Sequence, residues 1–322
     1  MTPEFDLIAK YFTRPIANAA LGVGDDCALV VVTPGHELAI STDTLVSGTH
    51  FFADADPVKL GHKALAVNLS DLAAMGAAPR YVTLALTLPK VDADWLDGFS
   101  RGFFNLARDV AVELIGGDTT RGPLSMTLTV LGEVPAGKAL RRDRARAGDD
   151  IWVSGSLGGA AIALKHLQGA ALLNPVILER ALERLHKPVP RIALGCALRD
   201  VAHSAIDLSD GLVADLTHIC ERSALAAVVD WPSVPLSPAL LSVGPDLRVA
   251  CALAGGDDYE LCFTAGEGVR LEIESLAATT GVAVARIGKM QRGDPRVTVN
   301  DEHGSPIKLA VAGFDHFAAR CP

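Results

Sequence analysis

From Tyr81 to Leu88 the residues alternate, with Val82, Leu84, Leu86 and Leu88 on one side and Tyr81, Thr83, Ala85 and Thr87 on the other. A period of two predicts a strand with one buried face. Met126, Leu128 and Val130 repeat the pattern, and residues 38–42 predict a further strand that enters an acidic loop at Asp43. The period changes to three and four at Leu96, Phe99, Phe103 and Leu106, which predicts an amphipathic helix. Another helix starts at Asp56-Pro57, an N-cap followed by proline at the first helical position. It runs to about Ala74 and is closed by Gly76 and Pro79. These apolar stripes are read as core.

Beyond residue 150 the pattern predicts strands at 151–154, 205–208, 226–230, 260–263, 282–287 and 296–299. Helices are predicted near 176–185, 191–202 and 211–221, with a glycine turn at 155–159. Residues 135–150 hold Gly137, a basic stretch at 141–146 and Gly148-Asp149, a composition that buries little and reads as a linker. A chain of 322 residues exceeds the usual size of a single core. Two domains are therefore expected, residues 1–137 and residues 148–322. Strands and helices mix in both, so the class is α+β (mixed α/β) rather than doubly wound. Asn68-Leu-Ser-Asp71 is echoed by Asp207-Leu-Ser-Asp210, and Leu114-Ile-Gly-Gly-Asp118 by Leu253-Ala-Gly-Gly-Asp257. The echoes keep their order, which predicts two related halves.

Charge narrows the partners. There are 29 basic and 38 acidic residues, a net charge of −9, which speaks against nucleic acid or an anionic membrane as the main partner. The first residues are acidic and lack the basic-then-apolar order of a signal peptide. No run reaches the roughly 18 apolar residues of a membrane span. The cysteines at 27, 196, 220, 251, 262 and 321 show no metal-binding spacing, and several sit in apolar runs. A cytoplasmic protein with free thiols is expected.

The chemistry lies in carboxylates beside glycines and at strand ends: Gly24-Asp25-Asp26, Ser41-Thr42-Asp43, Asn68-Leu69-Ser70-Asp71, Gly116-Gly117-Asp118 and Asp207-Leu208-Ser209-Asp210-Gly211. Glycine lets backbone approach a phosphate while the neighbouring carboxylate holds a bridging cation. Magnesium suits such oxygen donors, and the hydroxyls of Ser41, Thr42 and Ser209 add neutral ones. Each site alone is ordinary turn chemistry; five in one chain are not. Asp71 sits on an otherwise apolar helix with Asn68 at i,i+3, a costly place for a carboxylate without a partner. The P-loop, the protein-kinase catalytic loop and the hydrolase nucleophile elbow are all absent.

Gly22-Val-Gly-Asp-Asp-Cys27, Ile40-Ser-Thr-Asp-Thr-Leu-Val46, Asn68-Leu-Ser-Asp-Leu-Ala-Ala-Met-Gly76, Leu114-Ile-Gly-Gly-Asp-Thr-Thr120, Ala205-Ile-Asp-Leu-Ser-Asp-Gly-Leu212 and Gly255-Gly-Asp-Asp-Tyr-Glu-Leu261 resemble, in order, the motifs of the thiamine-monophosphate kinase family. The resemblance implies the two-domain aminoimidazole ribonucleotide synthetase-like fold, with N-terminal domains pairing strands in a homodimer. It implies ATP as co-substrate, several magnesium ions and thiamine phosphate as acceptor. By position it implies Asp26, Ser41, Thr42, Asp43, Asp71, Asp118, Asp207 and Asp210 as magnesium ligands. Gly117, Asp118, Arg142 and Ser209 would contact ATP, and His50, Asp257 and Phe314 would contact thiamine phosphate. At Asp257 the family usually has Glu. No general base or covalent nucleophile is expected, because a phosphate acceptor is largely ionised near neutral pH. Two other readings remain open: a relative phosphorylating a different acceptor, and a nucleotide-binding protein without catalysis.

Overall fold

The computed structural model describes residues 3–309, 313 and 314. They fall into two compact units, Met1–Leu72 with Ala77–Ala139, and Ala73–Gly76 with Leu140–Pro322.

In the first unit α1 (Pro3–Leu7) runs into a π-helical turn, followed by β1 (His36–Val46), α2 (Pro57–Ala74), β2 (Ala78–Leu88), α3 (Ala93–Asp109), β3 (Glu113–Arg121) and β4 (Ser125–Pro135). The sheet order is β1-β4-β2-β3. β4 is antiparallel to both its neighbours, and β3 is parallel to β2. Leu84 and Leu86 of β2 and Leu128 and Val130 of β4 are buried on one face, as their alternation predicts. The other face carries hydroxyl pairs, Thr42 with Thr129 and Thr44 with Thr127, each at 2.8 Å. Asp56 caps α2, its Oδ1 accepting from the N–H groups of Val58 and Lys59 at 2.8 and 3.0 Å. α2 and α3 meet backbone to backbone: a Cβ on Gly102 would lie 1.9 Å from the Val58 carbonyl oxygen.

The second unit contains β5 (Asp150–Ser154), α4 (Gly159–Leu167), α5 (Pro175–His186), α6 (Ile192–Ala197), β6 (Ser204–Asp207) and α7 (Leu212–Ser223). It continues with β7 (Ala226–Asp230), α8 (Pro245–Ala254), β8 (Leu261–Ala265), α9 (Arg270–Thr280), β9 (Val284–Gln291) and β10 (Arg296–Asn300). Its sheet order is β10-β7-β9-β5-β8-β6. Helices cover both faces, so the central strand β5 is buried throughout. Ile151 and Val153 join one apolar cluster with α4, α7 and α8. Trp152 joins the other, stacked on Phe263 at 6.3 Å between centroids.

Three expectations need correction. Asp43 and the Gly116-Gly117-Asp118 segment lie inside strands, not loops. The glycines there answer a close neighbour: a Cβ on Gly117 would fall 1.9 Å from the Leu84 carbonyl oxygen, beside the register shift between β2 and β3. Helices α4, α8 and α9 were not predicted. The two echoes are not structural repeats either. Asn68–Asp71 is mid-helix whereas Asp207 ends a strand, and Asp118 is in a strand whereas Asp257 follows a helix.

Candidate active site

In the first unit, pleating decides which candidates meet. Ser41 and Asp43 are paired in register with the buried residues Val130 and Leu128, so they share the face on which α2 lies. There the Ser41 hydroxyl donates to Oδ2 of Asp71. The Asp43 N–H donates to Oδ1 of Asn68 at 3.2 Å, and Asn68 is anchored by its own Nδ2 to the Ala64 carbonyl at 2.9 Å. Thr42 turns to the opposite face, where it meets Thr129. Register sets Asp118 beside Ala85 and hence on the threonine face. The candidates of this unit thus divide between the two sides of the sheet. Asp26 is an exposed loop residue whose N–H donates to Asp25 at 2.8 Å. His50 accepts the Val46 N–H at Nδ1, 2.9 Å away, which leaves the ring proton of a neutral imidazole on Nε2.

In the second unit, main-chain bonds gather the candidates around the turn at residues 208–211, which follows β6. The Ser209 carbonyl accepts the Asp257 N–H at 2.9 Å, and the Asp210 carbonyl accepts the Phe314 N–H at 3.1 Å. Asp257 has φ of 69°, a left-handed conformation that aspartate tolerates better than most residues. Phe314 is 52% exposed, whereas Asp207, at the end of β6, is buried. Arg142 lies on a short 3₁₀ turn whose main chain is held by Ser223 of α7: its carbonyl accepts the Ser223 hydroxyl at 2.8 Å.

The donors are oxygens, the chemistry magnesium takes. Among the described residues no three His, Cys, Asp or Glu side chains form a group that could hold a metal. An octahedral ion bound through one or two carboxylates, water and substrate phosphate needs no such trio, and the Ser41–Asp71 pair fits that pattern.

Residues 24–134 match the family model described as AIR synthase related protein, N-terminal domain. Thiamine-monophosphate kinase of Escherichia coli K12 is 49% identical over 320 residues, covering 98% of each chain. The crystal structure of thiamine-monophosphate kinase from Stenotrophomonas maltophilia K279a superposes with a TM-score of 0.84 at 48% identity, covering 94% of this chain and 96% of that one. AaThiL complexed with AMPPCP and TMP gives 0.78 at 28% identity, covering 89% of each. This chain belongs to the thiamine-monophosphate kinase family.

Within this thiamine-monophosphate kinase fold, three buried acidic residues lie close in the chain to the candidates of the second unit, and one of them, Asp215, accepts the N–H of Asp210. Glu260 is fully buried and receives Arg191 at both carboxylate oxygens (2.6 Å each), Ser154 at 2.6 Å, and Arg184. Burial alone would raise its pKa, but the Arg191 bonds and the charges of both arginines hold it below the ordinary carboxylate range. Asp258 is buried, accepts the Gly158 N–H at 2.7 Å through Oδ2, and has no hydrogen-bond partner at Oδ1. Burial pushes its pKa up to about 7, against the pull of the Gly158 bond and the Arg184 charge. Asp215, in the first turn of α7, is also buried. Burial and the neighbouring Asp210 push it up to about 7, against the pull of its backbone bonds and of Arg142. Arg184 and Arg191 reach Glu260 across 76 and 69 residues of sequence, a separation at which spacing carries no pairing signal.

Proposed function

We propose that this protein transfers the γ-phosphoryl group of ATP to thiamine phosphate, giving ADP and thiamine diphosphate. The observation that carries this is the 49% identity to the E. coli thiamine-monophosphate kinase over 98% of each chain. Both substrates bring phosphates, so the first task is to set like charges side by side. Magnesium, when bound, supplies the positive charge that screens donor from acceptor. Ser41, Asp43 and Asp71 would hold it on the helix-covered face of the first sheet, and Thr42 and Asp118 on the other. That division supports more than one ion. Asp26, Asp207 and Asp210 complete the proposed ligand set. Gly117, Asp118, Arg142 and Ser209 would bind and orient ATP, while His50, Asp257 and Phe314 would hold the acceptor. The acceptor oxygen is already ionised in good part, its second pKa being about 6, so alignment rather than a general base carries a direct in-line transfer.

The proposal extends to assembly. Among the described residues β1 pairs only with β4 and is a sheet edge, with Ile40 60% exposed on the threonine face. An open edge of this length is a surface for a second copy, which supports a homodimer. No described helix is long and apolar enough to cross a membrane, and Cys27, Cys196, Cys220, Cys251 and Cys262 are free thiols, which supports a cytoplasmic location.

Purified protein incubated with ATP, magnesium and thiamine phosphate is expected to release ADP and thiamine diphosphate in equal amounts. ADP release with thiamine phosphate left intact, or faster transfer to another acceptor, would overturn the assignment.

A further inference from the structure

The turn at residues 208–211 is tied to its neighbours by a series of main-chain bonds. Leu208 donates to the Glu260 carbonyl and accepts from Tyr259, at 2.8 Å each. Ser209 and Asp210 offer their carbonyls to Asp257 and Phe314. The N–H groups of Asp210 and Gly211 go instead to a side chain, and both go to the same atom: Oδ2 of Asp215, at 3.1 and 3.0 Å. Gly211 precedes α7 with φ of 124°, and a Cβ there would sit 2.9 Å from the Ala254 carbonyl carbon, so the backbone has little freedom to find another path. Asp215 is 3% exposed, which excludes a role as a surface carboxylate.

We infer that Asp215 is a positioning residue whose single carboxylate oxygen fixes one turn that serves both substrates. Resting on the proposed roles of these residues, the nucleotide side of the turn is Ser209 and Asp210 themselves. The acceptor side is Asp257 and Phe314, whose backbones hang from the carbonyls of Ser209 and Asp210. Moving the turn moves both sides together. Side-chain changes on either side act on one substrate alone, which separates this role from theirs.

The test is a comparison of KM values in variants whose folded fraction is measured by thermal melting. Asp215→Ala should raise KM for ATP and for thiamine phosphate together, each by about 10-fold or more, since a displacement near 1 Å is that costly. Asp215→Asn retains an oxygen that accepts both N–H groups and should keep both KM values within about 3-fold of the original. Ser209→Ala should raise the ATP value alone. If Ser209→Ala leaves the ATP KM unchanged, the reading of the turn as a nucleotide contact fails. If Ser209→Ala has its effect but folded Asp215→Ala keeps both KM values, or if Asp215→Asn raises both, the positioning role is overturned. Where Asp215→Ala does not fold, Asp215→Ser, too short to reach both N–H groups, replaces it. Failure of both to fold would assign Asp215 to folding and end the proposal.

Discussion

The main-chain N–H of Phe314 donates to the carbonyl of Asp210 at 3.1 Å, which sets its ring beside the turn that follows β6. The ring stays 52% exposed, too open for an aromatic that merely anchors a chain end. A thiazolium ring is cationic, and an aromatic face attracts such a cation by about 0.5–2 kcal/mol. Phe314→Leu keeps the N–H bond and most of the apolar volume. It should raise KM for thiamine phosphate by about 2- to 30-fold, with little change for ATP or in melting temperature. A sharp fall in melting temperature at unchanged KM would make the residue an anchor after all.

Asp71→Asn should keep the bond from the Ser41 hydroxyl, because an amide oxygen still accepts it. It removes the anionic oxygen that a hard cation needs. Turnover is expected to fall by about 100-fold or more, with a higher magnesium requirement. Ser41→Ala should do the same more mildly, by about 10-fold. Titrating activity with magnesium decides the matter: near-normal rates at limiting ion would remove Asp71 from the ligand set.

At Asp257 two substitutions separate shape from charge. Asp257→Asn tolerates the left-handed backbone equally well, so it should leave stability unchanged while raising KM for thiamine phosphate well above any effect on ATP. Asp257→Glu keeps the charge but is less at ease at φ of 69°, and should lower stability by about 1 kcal/mol. Denaturant melts of both variants, with KM measured alongside, test the pair. Equal KM effects on the two substrates in Asp257→Asn would contradict an acceptor contact.

Asp258 makes stability depend on pH. Its folded-state pKa is raised from the ordinary 3.8 to about 7. Below the lower value both folded and unfolded chains carry the proton, and the group contributes nothing. As pH rises between the two values the unfolded chain ionises first, so stability falls, and the loss levels off above the folded pKa. Relative to wild type, Asp258→Asn should therefore gain about 3 kcal/mol between about pH 5 and pH 8. Urea melts at the two pH values give the difference; a constant gap would show that Asp258 is ionised in the folded protein throughout.

Glu260→Gln leaves two guanidinium groups facing a neutral, buried amide. Breaking a buried ion pair from one side typically destabilises by about 3–5 kcal/mol. Loss of that order is expected in chemical denaturation, with Ser154 and the start of β8 losing hydrogen-exchange protection together.

Much of the fold was legible because its elements have two unlike faces. Leu96, Phe99, Phe103 and Leu106 announce α3 because the opposite side of that helix is polar, and all four are buried. α4 escaped for the opposite reason: Gly159 to Ala163 are buried all round, so no period distinguishes them from a loop or a strand. The carboxylates at glycines were legible as a set, and the turn at 208–211 does draw Ser209, Asp210, Asp257 and Phe314 together. Their sorting was not. Ser41 and Thr42 are neighbours in sequence and opposites in space, and the split becomes visible only once β1 has a partner that fixes its buried face. The echo of Asn68-Leu-Ser-Asp71 misled because four letters say nothing about whether helix or strand carries them.

The run Gly255-Gly-Asp-Asp-Tyr-Glu spells a strongly acidic loop, an uninviting neighbour for a phosphate. Its electrostatic field is milder than its spelling. Asp258 points into the interior, where it is largely protonated below its pKa of about 7. Glu260 is overmatched, one negative charge under two guanidinium groups, so a net positive charge lies beneath the loop. Of the three acids only Asp257 is not buried, and it stands at the position proposed to meet the cationic ring of the acceptor. Folding has turned a string of three like charges into a short dipole, negative at the surface and positive below. An anionic substrate would meet less repulsion here than composition alone foretells, and a substrate with a cationic ring ahead of its phosphate would be drawn in ring first.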